Sequence, residues 1–344
     1  MRKIFKAISR RRNAVTLVAM MLSLAAAPIR AQTPPELQRI PFQIATGPIS
    51  GSYLPAGEAL AVVISHPPGL GRCESARACG PEGLIATTRS SSGSVSNAIS
   101  VDRGTVQSAI VQGDVAVAAK AGTGPFAETG ALQNLRIIAR LHDENLHFVV
   151  AARSRIKRLK DLAGRRVAID SSNSATEVTV RQLLRAAGVP FASLALQRLS
   201  PEMATEDLEA GKLDAFFILG VAPIRSVDEL MRHGYTHLIG IDSRTLQKLN
   251  RRSSMYRKTT LPSGTYRSSK SIAQLSVGSF WVVNRSQSSE TVEKILQALW
   301  NPANQADLRN RTGFPKNIQL HLSPQNAPLP LHDGAKRFYA SSGR

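Results

Sequence analysis

Thr46, Gly47, Ser50 and Tyr53 fall in one stretch, Ala45-Thr46-Gly47-Pro48-Ile49-Ser50-Gly51-Ser52-Tyr53-Leu54-Pro55, which closes the apolar run 42–46. Hydroxyls and glycine N–H groups at the start of a helix form a ready site for a carboxylate or phosphate, because the first backbone donors there lack partners. Tyr53 supplies a ring to cover an apolar part of a ligand. The same chemistry returns at Ser92, Gly93, Ser94 and Asn97, at Gln112 and Asp114, and at Ser171, Ser174, Thr176 and Pro223. Helix capping is the plain alternative for each serine. Asp114 either caps a turn or, in contact with ligand, selects an ammonium group.

Catalytic patterns are scarce. No G-x-S-x-G elbow, H-E-x-x-H or P-loop occurs. Ser154-Arg155-Ile156-Lys157 matches S-x-x-K, but the partner K-T-G is missing and residues 153–160 read as a solvated charged segment. His233 and His237 have helical metal-ligand spacing, with Gly234 between them and no third ligand. His142, Asp143, Glu144 and His147 can in principle form a metal or acid–base site, against which one histidine sits in a strand-like run. No cofactor, metal or catalytic residue is expected.

Four strand–turn–helix units position these groups. Strand-like runs at 42–46, 84–88, 165–170 and 213–219 each break into a small-residue turn and resume at helical spacing, as with Val180, Leu183, Leu184 and Ala187 before the stop Gly188 and Pro190. Two further strands are expected at 112–117 and 146–151. The fold class is therefore α/β, with two lobes, each an open, mostly parallel sheet flanked by helices, and a ligand cleft between them. Lobe one takes residues 41–145 and 243–344, and lobe two takes 146–242, with the return crossing near 239–242.

The first 31 residues read as a secretory signal peptide: Arg2, Lys3, Lys6, Arg10, Arg11 and Arg12 precede an apolar run at 14–27, and cleavage falls after Ala27 or Ala31. The remainder is then periplasmic. Losing the leader's seven positive charges takes the formal net charge from +20 to +13. Few aromatics and no nucleic-acid-binding signature argue against nucleic acid as the partner of this basic chain. Cys73 and Cys79 lie in a Pro/Gly-rich loop, where an exported protein forms a disulfide.

Taken in order, these segments resemble the TAXI family of solute-binding proteins, receptors of tripartite ATP-independent periplasmic (TRAP) transporters. The resemblance runs through Ala45–Pro48 to Pro55, Ser91-Ser92-Gly93-Ser94-Val95-Ser96-Asn97, Gln112-Gly113-Asp114 and Lys160-Asp161-Leu162-Ala163-Gly164-Arg165-Arg166-Val167. It continues through Asp214-Ala215-Phe216-Phe217 with Gly220, Ala222 and Pro223, then Leu261-Pro262-Ser263-Gly264-Thr265-Tyr266, and ends at Pro330-Leu331-His332-Asp333-Gly334-Ala335. The turn 171–176 keeps Thr176 but lacks the family's glycines. The resemblance implies a monomeric two-lobed receptor, not an enzyme, that captures a small organic anion, an amino acid such as glutamate or a dicarboxylate. It then delivers this solute to TRAP membrane subunits driven by an ion gradient. A periplasmic ligand-sensing or enzymatic protein on the same fold is the alternative.

Overall fold

The structure is a computed structural model that describes residues 39–49, 51–69, 73, 79–266, 270–310 and 326–342. The expected signal peptide and Ser50 lie outside the described residues. In chain order the first elements are β1 (Ile40–Ala45), α1 (Tyr53–Ile64), β2 (Leu84–Arg89), α2 (Ser94–Asp102), β3 (Ser108–Gln112) and α3 (Gly113–Ala121). The long β4 (Leu135–Ala151) follows, then β5 (Arg166–Ala168), α4 (Ala175–Ala187), β6 (Ala195–Gln197), α5 (Pro201–Glu209), β7 (Ala215–Gly220), α6 (Arg225–Arg232) and β8 (Thr236–Leu238). The chain ends with α7 (Ser243–Arg252), β9 (Tyr256–Leu261), β10 (Ile272–Asn284), α8 (Ser289–Trp300), α9 (Pro302–Asn310) and α10 (Asp333–Ser341).

One ten-stranded sheet runs in the order β2-β1-β3-β10-β4-β7-β5-β6, with β8 added to β4 and β9 to β10. The expected pair of separate sheets is corrected by this continuity. The outer pairs β1–β2, β1–β3, β5–β6 and β5–β7 are parallel, as expected of strands followed by helices. Every pair made by β4 or β10 is antiparallel, so the sheet is mixed rather than mostly parallel.

The reason lies in the length of β4 and β10, which run through both halves of the sheet. Along β4, Ile138 and Leu141 join a core shared with α1, α8 and α10, while Leu135 and Ile137 join one shared with α2 and α3. Farther on, Leu146, Phe148 and Val150 pack with α4 and α7, and Val149 and Ala151 pack with α5 and α6. Alternating apolar residues thus feed both faces of both halves from one strand. The register of β10 against β4 shifts between Gly278 and Phe280, where Ser279 Oγ donates to the His142 carbonyl at 2.9 Å.

Three local expectations are corrected. The chain does not cross back near 239–242: Leu246, Leu249 and Tyr256 still pack with Leu146 and Phe217, and the crossing occurs within β10. Residues 112–117 are not a strand, because β3 ends at Gln112 and α3 starts at Gly113, its apolar Val115, Ala116 and Ala119 turned into the core. His237 lies in β8, which removes its helical relation to His233. Cys73 and Cys79 form a disulfide. No helix among the described residues is long and apolar enough to cross a membrane.

Candidate functional site

Five helices begin at one pocket. Its wall includes Ser52 and Tyr53 at the start of α1, Gly93 and Ser94 at α2, and Gln112, the N-cap of α3. Ser174, Ala175 and Thr176 open α4, and Pro201 opens α5. The first three helices follow strands of one half of the sheet and the last two belong to the other, so the pocket lies where the halves face each other. Helix N-termini carry partial positive charge and unpaired N–H groups, and their convergence favours a carboxylate.

The pocket's charged side chains have the opposite sign. Glu144 on β4 and Asp170, just beyond β5, line the wall, and among the described residues no lysine or arginine does. Ser52 Oγ donates to Glu144 Oε1 at 2.6 Å, and His142 Nε2 stands 3.4 Å from the same hydroxyl. Burial pushes the Glu144 carboxyl up to about 7, with hydrogen bonds from Ser52 and Tyr53 opposing and the Asp114 and Asp143 charges adding to the rise. Burial likewise raises Asp170, whose Oδ1 accepts from the Ser171 N–H at 2.7 Å. Asp170 holds φ at 72°, a left-handed conformation that aspartate tolerates better than most residues.

A second network lies against the pocket at Gln112. Gln112 Nε2 donates to Asp114 Oδ1 at 2.6 Å and to Thr179 Oγ1, on α4, at 2.8 Å. Thr179 in turn donates to Asp114 Oδ2 at 2.8 Å, and the Tyr256 hydroxyl, on β9, donates to the same oxygen at 2.7 Å. Burial raises the Asp114 carboxyl despite these donors. Gln112 Oε1 is buried without a hydrogen-bond partner. The inner pocket holds about 60 Å³; an outer one of about 480 Å³, walled by Ile49, Pro55, Pro223 and Ile224, shares Gly51, Ser52, Ile218 and Leu219 with it.

Against known proteins, residues 44–343 match the model of the NMT1-like family. The chain belongs to that family. Among solved structures, one from Bordetella bronchiseptica RB50 aligns at 17% identity over 88% of this chain and 81% of its own, with a TM-score of 0.51, a likeness of fold. The alkanesulfonate-binding protein SsuA from Xanthomonas axonopodis pv. citri, bound to MOPS, aligns at 15% identity over 88% and 84% with a TM-score of 0.45. A TctC solute-binding protein from Polaromonas aligns at 14% over 82% and 90%, also at 0.45.

In this NMT1-like chain the structure gathers Gly47, Tyr53, Ser92, Gly93, Ser94, Gln112, Ser174 and Thr176 at the inner pocket, and Pro223 at the outer one. Thr46, Asn97, Asp114 and Ser171 line neither pocket. Thr46 Oγ1 donates to the Arg89 carbonyl at 3.0 Å, and a Cβ on Gly57 would overlap its methyl, so Thr46 seats α1 against β1. Asn97 Nδ2 donates to the carbonyls of Thr46 at 2.6 Å and Ile110 at 2.8 Å, tying β1 to β3. Ser174 caps α4 by accepting from the Glu177 N–H at 3.1 Å while it lines the pocket, so capping and site placement coexist. Sequence reasoning missed Ser52 and Asp170, and it offered Glu144 only as part of a metal or acid–base site with His142, Asp143 and His147, not as a wall of the solute pocket. His147 is held elsewhere, 2.9 Å from the Tyr266 hydroxyl.

Proposed function

We propose that this NMT1-like protein is an extracytoplasmic solute-binding receptor of the TAXI type, which captures a small organic acid and hands it to the membrane subunits of a TRAP transporter. The solute is an amino acid such as glutamate, or a dicarboxylate; the protein acts as a monomer in the periplasm and carries out no reaction. The convergence of five helix N-termini from both halves of the sheet on one pocket carries this reading. The ordered run of seven motifs from Ala45 to Ala335 favours the TAXI and TRAP assignment. Two lobes, one of residues 41–145 with the chain beyond the crossing in β10 and the other from 146 up to that crossing, close on the solute, because a ligand that touches both only when they meet shifts the equilibrium towards that state.

Calorimetry with a panel of amino acids and dicarboxylates, paired with small-angle scattering, tests this. One solute should bind per chain and compact the protein. Ser94→Ala and Thr176→Ala should each weaken binding roughly 10- to 150-fold, the worth of one hydrogen bond to a charged group, without unfolding the chain. Binding by no panel member, or tight binding untouched by Thr176→Ala, would overturn the reading.

A further inference from the structure

Gln112 faces two neighbours that fix which way its amide points. A carboxylate only accepts hydrogen bonds, so the side of the amide that meets Asp114 has to be Nε2. Thr179 already spends its hydroxyl proton on Asp114 and therefore accepts from Nε2 as well. Neither Asp114 nor Thr179 lines the pocket, whereas Gln112 does. Oε1 is thus left as the amide atom turned away from both, buried and unpartnered, on a residue that lines the pocket. Leaving such an acceptor dry and unpaired is costly, and the cost vanishes when a ligand brings a donor.

Glu144 repeats the same demand on the opposite chain segment. Its buried carboxylate takes the Ser52 hydroxyl at 2.6 Å and lines the same wall, where the described residues include no lysine or arginine. The pocket therefore combines helix N-termini, which want a carboxylate, with acceptors that reject one. A dicarboxylate satisfies the first and sets its remaining oxygens against Gln112 Oε1 and Glu144. A zwitterion satisfies both.

We propose that Gln112 and Glu144 are the specificity-determining residues of this pocket and require a solute with a protonated amine, and that Thr179 is a positioning residue that orients Gln112 for the task. The proposal rests on the receptor reading above and narrows it. Since Thr179 stands on α4 and Gln112 on the other half of the sheet, the second of the two contacts that orient the acceptor, beside that of Asp114, forms only while the halves meet. Recognition of the amine and closure are then one event.

The experiment compares each amine with its desamino partner, L-glutamate with glutarate and L-aspartate with succinate, within a full panel of L-amino acids and diacids. The full chain is used, with affinity read by calorimetry and thermal shift. Wild type should bind one amino acid at least tenfold more tightly than its desamino analogue. Thr179→Val leaves Asp114 as the one partner of Gln112 Nε2 and should narrow that ratio severalfold, although residue 179 lines no part of the pocket; Thr179→Ser should restore it. Glu144→Gln should narrow the ratio as well. A diacid bound as tightly as its amino counterpart, or a ratio unmoved by both Thr179→Val and Glu144→Gln, overturns the proposal while the receptor reading stands. Binding of nothing in the panel overturns both.

Discussion

At the residue scale, Glu144 connects chemistry to stability. The folded protein holds its proton up to about pH 7, whereas an ordinary glutamate gives it up near 4.5. Between those values the folded state binds the proton that the unfolded chain releases, so this group's unfavourable contribution begins above 4.5 and is complete above 7. At full extent it is about 3 kcal/mol at most. Glu144→Gln keeps an acceptor for Ser52 and carries no charge. It should raise the unfolding temperature of the ligand-free protein by several degrees at pH 8 and leave it little changed at pH 5, as differential scanning calorimetry would reveal. The sign for binding runs the other way: an amine-bearing solute should bind more tightly at pH 8 than at pH 6, where the carboxyl is neutral. A dianion should show the reverse. A flat profile in wild type would remove Glu144 from the site.

At the element scale, the helix starts are held by groups that never meet a solute. Asn97 lies one turn into α2, and its amide ties the ends of β1 and β3 while its Oδ1 accepts from Ser91 Oγ at 2.7 Å. Asn97→Ala strands buried carbonyls and should cost about 2–3 kcal/mol of stability. Urea unfolding should report that loss, and saturating solute should still bind with its discrimination intact. Retained stability with lost binding would instead place Asn97 in contact with ligand. Ser94, one turn away, divides differently: it accepts from the Gln112 N–H at 3.0 Å and stands 3.3 Å from the Tyr53 hydroxyl, so it holds three helix starts together at the pocket itself.

At the scale of the whole molecule, β4 and β10 make the two halves one sheet, and the disulfide is peripheral to that design. Cys73 and Cys79 close a short loop beyond α1, where Gly80 N–H donates to the Ile64 carbonyl at 3.1 Å and His66 Nδ1 lies 3.0 Å from the Gly80 carbonyl. Constraining so short a loop contributes about 2 kcal/mol at most. Replacing both cysteines by serine should lower the unfolding temperature by a few degrees and leave solute affinity within twofold. A large loss of affinity would show that this loop braces α1 and, through it, Ser52 and Tyr53.

The strand–turn–helix units were legible because each is local: apolar runs, small-residue turns and helical spacing lie within some twenty consecutive residues, as in β5 and α4 with Ser174 as cap and Gly188 as stop. Gly47, Ser94 and Thr176 were found at the pocket for the same reason, since a helix start is written in its own neighbourhood. The disulfide followed from two cysteines in one loop. What no local pattern carries is strand order and register. Only the tertiary structure decided that β4 and β10 cross both halves, because their alternating apolar residues are satisfied by four cores far apart in the chain. It also brought Glu144, 92 residues from Ser52, onto the same wall, and turned Asp114 towards Thr179 and Tyr256. A carboxylate looks alike in the sequence whether it meets solvent, solute or a buried hydroxyl; its surroundings, and hence its charge, are properties of the packed molecule.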